Sequence, residues 1–236
     1  MLLGALVAHW IIERQRLRAF VMEFGPLPSD PRGLALEVAG RLFERPHLHD
    51  DPPYLIRALA PLGATPSALI EIGGCCSGKS RLYIHCLSQL GIRAHQMALY
   101  HRAGHAQHCL VEALLPDGPL IADPHYGIYY TDPVGRPIGL DALQSGVAPA
   151  LVPLPRSDRT AYPASDYYDF AYSLTKTMNW TKSPYRRAVY RLLTRALRGG
   201  VDRLRLPVAL EWPQALLCAV ISGMVIAMHI VASLLL

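Results

Sequence analysis

The residues best suited to chemistry lie in one short segment, Ile70-Glu71-Ile72-Gly73-Gly74-Cys75-Cys76-Ser77-Gly78-Lys79-Ser80. Gly73 to Ser80 matches G-x-x-x-x-G-K-[ST], the loop with which nucleotide-binding proteins hold phosphates. The same residues place Cys76 at the start of a predicted helix, where the helix dipole favours a nucleophilic thiolate. The segment therefore has two interpretations, a phosphate loop or a site of cysteine catalysis.

A cysteine nucleophile needs a histidine that exchanges protons and a group that orients this histidine. His108 begins a strand-like run, and Asp123 ends the next one. The Asp117-Gly118 pair between them is typical of a β-hairpin turn, so the two runs should be antiparallel neighbours. We therefore predict that Cys76 is the nucleophile, that His108 is the general base and acid, and that Asp123 orients His108.

Neighbouring residues offer alternatives to these assignments. Cys75 is a second candidate nucleophile, and His105 is a second candidate base in the loop before the strand. A Gly-x-Cys spacing favours Cys76, and the position at the start of a strand favours His108. His101, His105, His108 and Cys109 could suggest a zinc site, but the sequence has no second pair of ligands at the spacing typical of such sites. No metal or other cofactor is therefore predicted.

The segments that position these residues follow an order typical of α+β proteins. Apolar residues recur at helical spacing from Cys76 to Leu90, whereas Ala68 to Ile72 reads as a strand or an irregular approach to the loop. Antiparallel strand-like runs follow at 94–100, 108–115, 119–123 and 127–130. This order lacks the alternation of a phosphate-loop domain, which would use Lys79 for the phosphates and Ser80 for Mg²⁺. Nucleotide binding at Gly73 to Ser80 is therefore the weaker alternative.

The order and spacing of these residues resemble the transglutaminase-like superfamily of papain-fold cysteine enzymes. The matching residues, over positions 65–130, are Gly74-Cys75-Cys76 with Ser80, Leu87, Gly91-Ile92-Arg93-Ala94-His95, His108-Cys109-Leu110-Val111-Glu112, and Asp123-Pro124 with Gly127. The resemblance implies a core in which a central helix carrying the cysteine packs on an antiparallel sheet. It implies hydrolysis or acyl transfer at a peptide or protein amide, with Cys76, His108 and Asp123 in the roles given above. Bacterial members are more often proteases or amidases than cross-linking enzymes.

The chain departs from the family pattern at several positions. Arg93, His95 and Leu110 stand where the family has proline, arginine and tryptophan. Ile70 stands six residues before Cys76, where papain-like enzymes place a glutamine that stabilises the oxyanion. The Cys76 backbone N–H is then one oxyanion donor, and the other is unidentified. A non-catalytic, membrane-docked binding module of the same fold is therefore a further alternative.

The C-terminal segment, 213–236, contains no Asp, Glu, Lys or Arg. As a helix it would extend about 36 Å, enough to cross a ~30 Å hydrocarbon core. We therefore predict a transmembrane helix that anchors the protein, preceded by a basic juxtamembrane run at 182–205. The positive-inside tendency and the five cysteines, odd in number and irregularly spaced, place the catalytic domain in the cytoplasm. A small-residue stripe predicts a homodimer through this helix, at Ala219, Gly223 and Ala227.

Composition and boundaries complete the prediction. Hydrophobic residues make up 51% of the chain and charged residues 17%, and arginines supply most of the net charge of +5. This placement of the arginines beside an apolar segment favours anionic lipid over nucleic acid as the partner. Four segments are predicted: an N-terminal helical segment, the transglutaminase-like core, a Pro/Tyr-rich then basic juxtamembrane region, and the transmembrane helix, at 1–30, 31–150, 151–212 and 213–236.

Overall fold

The computed structural model describes residues 2–46, 64–155, 169–181, 184–197, 200–205 and 213–235. Four helices come first, α1 (Leu2–Met22), α2 (Pro31–Glu44), α3 (Pro66–Ile72) and α4 (Cys76–Gln89). Five strands follow, β1 (Arg93–Tyr100), β2 (Ala106–Leu115), β3 (Gly118–Asp123), β4 (Ile128–Thr131) and β5 (Ala150–Pro153). Three further helices are α5 (Leu140–Gln144), α6 (Pro184–Ala196) and α7 (Pro213–Leu235).

Local capping residues explain where α2 and α3 begin. Asp30 accepts a hydrogen bond from the Gly33 N–H at 2.6 Å, and Thr65 accepts one from the Ala68 N–H at 3.3 Å. Each cap is followed by a proline in the first turn, where the missing N–H costs nothing. The interpretation of 68–72 as a strand or irregular segment was wrong, because Thr65 and Pro66 start a helix there.

The five strands form one antiparallel sheet in the order in which they occur along the chain. The turn at Asp117-Gly118 joins β2 to β3, with Leu115 directly opposite Gly118. A register shift between Leu99 and Tyr100 interrupts the pairing of β1 with β2. The architecture is therefore α+β with an antiparallel sheet.

Alternate residues of the strands face two apolar cores on opposite sides of the sheet. One core joins the sheet to α1, α2, α3 and α4, with Leu17, Val38, Tyr83 and Val111 among its buried residues. The other joins it to α5 and to the segment around Phe170. Because α1 and Phe170 both enter these cores, packing extends to either side of the predicted core boundaries of 31 and 150. Part of the Pro/Tyr-rich region, 156–168, lies outside the described residues.

The C-terminal segment requires a correction. Among the described residues, no helix combines the length and the apolar character needed to cross a membrane. The predicted transmembrane helix, the membrane anchor and the localisation built on it were therefore wrong, and so was that part of the predicted fold class. A charge-free helix can also pack on another apolar helix, and α7 packs against α1.

Candidate active site

Cys76 is the first residue of α4, with Cys75 as the N-cap. The chain enters the helix through two consecutive glycines in the left-handed region, Gly73 at φ 76° and Gly74 at φ 65°. A Cβ on Gly74 would also lie 3.0 Å from backbone atoms of Gly78. Only glycine fits this tight turn without strain, and the turn delivers Cys76 to the positive end of the helix dipole.

The structure brings His108 and Asp123 into direct contact. The His108 Nε2 atom lies 2.6 Å from Asp123 Oδ2, and both side chains are buried. The strand register explains this contact, because Val111 pairs with Ala122 and so places Asp123 diagonally across from His108. The other carboxylate oxygen, Oδ1, accepts the N–H groups of His125 at 2.9 Å and Tyr126 at 3.1 Å. Asp123 is thus held by the turn that follows β3.

The His108 ring also contacts Cys76, whose side chain is hydrogen-bonded to it. Because Asp123 occupies Nε2, the ring atom that remains for Cys76 is Nδ1. The three residues predicted from the sequence therefore lie in one cluster in the order Cys76, His108, Asp123.

The surroundings of His108 hold it in place and favour its charged form. Burial disfavours the imidazolium, but the Asp123 carboxylate and the hydrogen bonds to Asp123 and Cys76 outweigh burial and raise the pKa of His108 to about 10. Burial likewise opposes ionisation of Asp123, but His108 and the two backbone N–H groups hold the pKa of Asp123 below its usual value. The rings of Tyr126 and Phe170 pack against the imidazole, with centroid distances of 5.0 and 6.2 Å.

The two adjacent cysteines differ in their chemistry. A hydrogen bond to Cys76, together with burial, raises the pKa of Cys75 to about 12, so Cys75 is a neutral thiol at pH 7. Burial also raises the pKa of Cys86 well above its usual range. Cys76 is the cysteine that contacts His108. The alternative of Cys75 as the nucleophile is therefore not favoured by the geometry.

The residues of the phosphate-loop motif point into the protein. The Lys79 side chain is buried, and its Nζ donates to the backbone oxygens of Phe43 at 3.2 Å and Arg45 at 3.0 Å. Ser80 is buried as well and donates to the Cys109 backbone oxygen at 3.1 Å. Lys79 therefore binds carbonyls at the C-terminal end of α2, and Ser80 fixes α4 to β2 beside His108. Neither side chain faces a position where a phosphate could bind.

Other contacts that the sequence interpretation missed also position the site. Gln96 on β1 donates from Nε2 to the Ser77 backbone oxygen at 3.3 Å, which holds the first turn of α4 on the sheet. Ile70 lies on α3, and its backbone oxygen accepts from Arg45 at 2.9 Å. Phe170 reaches His108 from far down the chain, and no local signal in the sequence indicates this contact.

A second buried histidine–carboxylate pair lies further along β2. Glu112 is fully buried, with Oε2 2.8 Å from His95 Nε2 and 3.1 Å from Arg205 Nε, while Oε1 accepts the Leu140 N–H at 2.7 Å. Burial opposes ionisation of Glu112, but these partners outweigh burial and hold its pKa below the usual value. The contacts join β1, β2, the start of α5 and the segment after α6. This cluster fastens the second layer to the sheet.

Within the part of the chain that the structure describes, no group of three or more His, Cys, Asp or Glu side chains is arranged to hold a metal ion. The geometry defines a cysteine–histidine–aspartate cluster at a helix N-terminus, in which His108 and Asp123 are buried and Cys76 is partly exposed. Comparison of the chain with family models, with curated proteins and with solved structures finds no match.

Proposed function

We propose that the protein is a cysteine-dependent amide hydrolase or acyltransferase that acts through a thioester on Cys76. The observation that carries this proposal is the cluster in which Asp123 binds His108 Nε2 at 2.6 Å while Cys76 contacts the same ring at the start of α4. The resemblance of the segments around these residues to the transglutaminase-like superfamily supports the same reaction.

In the first half of the reaction, the Cys76 thiolate attacks the carbonyl carbon of a peptide or protein amide. The electron pair of the carbonyl bond moves to oxygen, and the Cys76 backbone N–H, free of a helical partner at the first turn, stabilises that oxygen. The protonated His108 then gives its proton to the amide nitrogen. The carbon–nitrogen bond breaks, the amine leaves, and the acyl group is held on Cys76 as a thioester.

In the second half, neutral His108 takes a proton from water, and the hydroxide attacks the thioester carbon. The Cys76 thiolate leaves, and the thiolate–imidazolium pair is restored. Asp123 keeps the His108 ring oriented in both halves and stabilises its charge. Hydrolysis is the outcome we favour over transfer to an amine, because bacterial members of the superfamily that the chain resembles are more often proteases or amidases.

Site-resolved alkylation tests the state of Cys76. The full chain is treated with iodoacetamide at pH 7, and the labelling rate of each cysteine is followed by peptide mass spectrometry. An ordinary thiol of pKa ~8.5 is roughly 3% ionised at that pH, so a thiolate held by His108 should label about ten times faster. We expect Cys76 to label faster than the neutral thiol Cys75 and the buried Cys86, and His108→Ala to slow the labelling of Cys76 at least about tenfold.

A peptide aldehyde gives the corresponding test of catalysis, because it forms a thiohemiacetal that mimics the tetrahedral intermediate. We expect the aldehyde to protect Cys76 from alkylation in the wild type and in the matched control Cys75→Ser, whose Cys76 still contacts His108. If His108→Ala leaves the labelling rate of Cys76 unchanged, the enzymatic proposal fails and a non-catalytic binding module replaces it.

A further inference from the structure

A second site lies beside the candidate active site, between the end of β1 and helix α6. The described residues border a partly open cavity of about 400 Å³ there. Aromatic and cationic side chains form much of its lining, namely Tyr100, Trp180, Tyr190, Lys176, Arg187 and Arg191. None of the residues that line it carries a carboxylate.

The aromatic walls of the cavity are fixed by their own contacts. The rings of Trp180 and Tyr190 lie 5.4 Å apart between centroids, at an interplanar angle of 39°. The Tyr100 hydroxyl accepts the Trp180 backbone N–H at 3.1 Å and donates to the Met178 backbone oxygen at 3.2 Å. A planar or apolar group can therefore enter a preformed space and stack without reordering the walls.

The cations of the cavity are unequally neutralised. Lys176 Nζ lies 3.0 Å from the Asp202 carboxylate and donates to the Tyr190 hydroxyl at 2.7 Å, so its charge is balanced within the protein. Arg187 donates to a neutral acceptor, the Thr181 backbone oxygen, at 3.2 Å. Arg191 lies one turn along α6 from Arg187 and makes no ion pair or hydrogen bond with the described residues. The two arginines therefore leave an excess of positive charge on one face of α6.

Trp180 is, after Tyr100, the most buried of the aromatic residues that line the cavity, and it forms part of the cavity wall. Its side chain is only 5% exposed, and among the described residues its indole N–H has no hydrogen-bond acceptor. A buried donor without an acceptor costs about 1–3 kcal/mol. This nitrogen is inaccessible to solvent, so it is the indole ring of Trp180, and not its N–H, that offers a contact to a ligand in the cavity.

We propose that the cavity binds an oxyanion, a carboxylate or a phosphate, carried on an aromatic or aliphatic body. The body lies between the aromatic walls, and the anion pairs with Arg191 and Arg187. The segment that lines the cavity also reaches the candidate active site, because the Ala171 N–H donates to the Tyr100 backbone oxygen at 3.0 Å and the adjacent Phe170 packs on His108. Binding itself needs no chemistry at Cys76, so the inference stands apart from the proposed reaction.

Calorimetric titration of the full chain tests this binding with three probes: N-acetyl-phenylalanine, its uncharged amide, and phenyl phosphate. We expect saturable binding with one site per chain for at least one of the two anions, and at least about tenfold weaker binding of the amide. The tighter-binding probe shows whether the site prefers a carboxylate or a phosphate. Arg191→Gln should weaken binding of the anion about tenfold, the loss of roughly one charge-assisted hydrogen bond.

Matched variants complete the test. Arg195→Gln removes another exposed arginine of α6, one that does not line the cavity, and it should bind the anion as the wild type does. Trp180→Leu should weaken binding several-fold, since it removes an aromatic wall of the cavity. Cys76→Ser should leave the affinity unchanged even if the proposed catalysis fails. Absence of binding by both anions, equal binding of the amide, or equal effects of Arg191→Gln and Arg195→Gln would overturn the inference.

Discussion

Replacing Asp123 with asparagine removes the negative charge beside His108 while it keeps the size of the side chain. The Asp123 carboxylate is fully buried and lies 2.6 Å from the His108 ring. A pKa raised from 6.5 to about 10 means that His108 in the folded protein holds its proton more strongly than an imidazole in water does, by a free energy on the order of 5 kcal/mol. Asp123→Asn loses the contributions of the carboxylate, so burial, which lowers the pKa of His108, is opposed only by Cys76.

The sign of the pH dependence follows from these two groups. Because the pKa of folded His108 lies above 6.5, its contribution to stability is complete below pH 6.5 and is lost as the pH rises through about 10. Asp123 has a lowered pKa, so its contribution is complete above pH 3.8 and is lost as the pH falls through that lowered pKa. The pair therefore stabilises the protein most between these limits, in a window that includes pH 5.5.

Urea unfolding at two pH values measures this effect. Breaking a buried ion pair by removal of one partner costs roughly 3–5 kcal/mol, so we expect Asp123→Asn to lose that much stability at pH 5.5 and much less at pH 10.5. Asp132→Asn is the matched control, because Asp132 also accepts backbone N–H groups in a turn but pairs with the exposed Arg136. We expect a much smaller change for this control.

Alkylation of Cys76 in the same variant measures the effect on the site. At pH 6 the wild type should label at least about tenfold faster than Asp123→Asn, because the variant lacks the carboxylate that keeps His108 charged beside Cys76. Loss of the orienting carboxylate should also reduce any amidase turnover strongly, by roughly 10⁴-fold in the precedent of serine proteases. Equal stability and equal labelling of the variant and the wild type at pH 5.5–6 would refute the buried-pair argument.

Two further predictions concern residues that shape the site from outside the cluster. Lys79→Met should lower the free energy of unfolding in urea by about 1–3 kcal/mol, because two carbonyls at the end of α2 lose their donor. Addition of Mg-ATP should leave the Tm of the wild type unchanged. A rise in Tm that depends on Lys79 would instead support nucleotide binding. Gly127→Ala should lower the free energy of unfolding by about 1–3 kcal/mol, because Gly127 has φ +70° and a Cβ there would lie 2.9 Å from the Phe43 ring. Gly146→Ala is the control, because Gly146 has φ +88° but open space around it, so this variant has the backbone strain without a close contact. Equal losses of stability in the two variants would show that the contact with Phe43 is unimportant.

Several features of the fold follow from short-range signals that the sequence displays directly. Asp117-Gly118 predicts the hairpin, and the strands on either side of it pair as expected. The apolar spacing after Cys76 predicts α4, which runs from Cys76 to Gln89. The signals that were overlooked are of the same kind, since Thr65 and Pro66 mark the start of α3. Such signals work because capping and turn formation depend on residues only a few positions apart.

Long-range packing accounts for what the sequence interpretation got wrong or missed. The 213–236 segment looks like a membrane span because it has no charged residues, but its composition does not show what the segment contacts. In the structure α7 packs against α1, near the other end of the chain. The contact of Phe170 with His108 and the joining of Glu112 to Arg205 likewise depend on residues far apart in sequence.

The sequence by itself indicated Cys76, His108 and Asp123 as a candidate cluster, and it predicted the turns that carry them. It could do so because a glycine turn before a helix and a tight hairpin are local structures. Only the tertiary structure decided that Lys79 binds backbone carbonyls and that Cys75 remains a neutral thiol. It also placed Trp180 and Arg191 around one cavity, because burial, pKa shifts and cavity walls are set by contacts between distant parts of the chain.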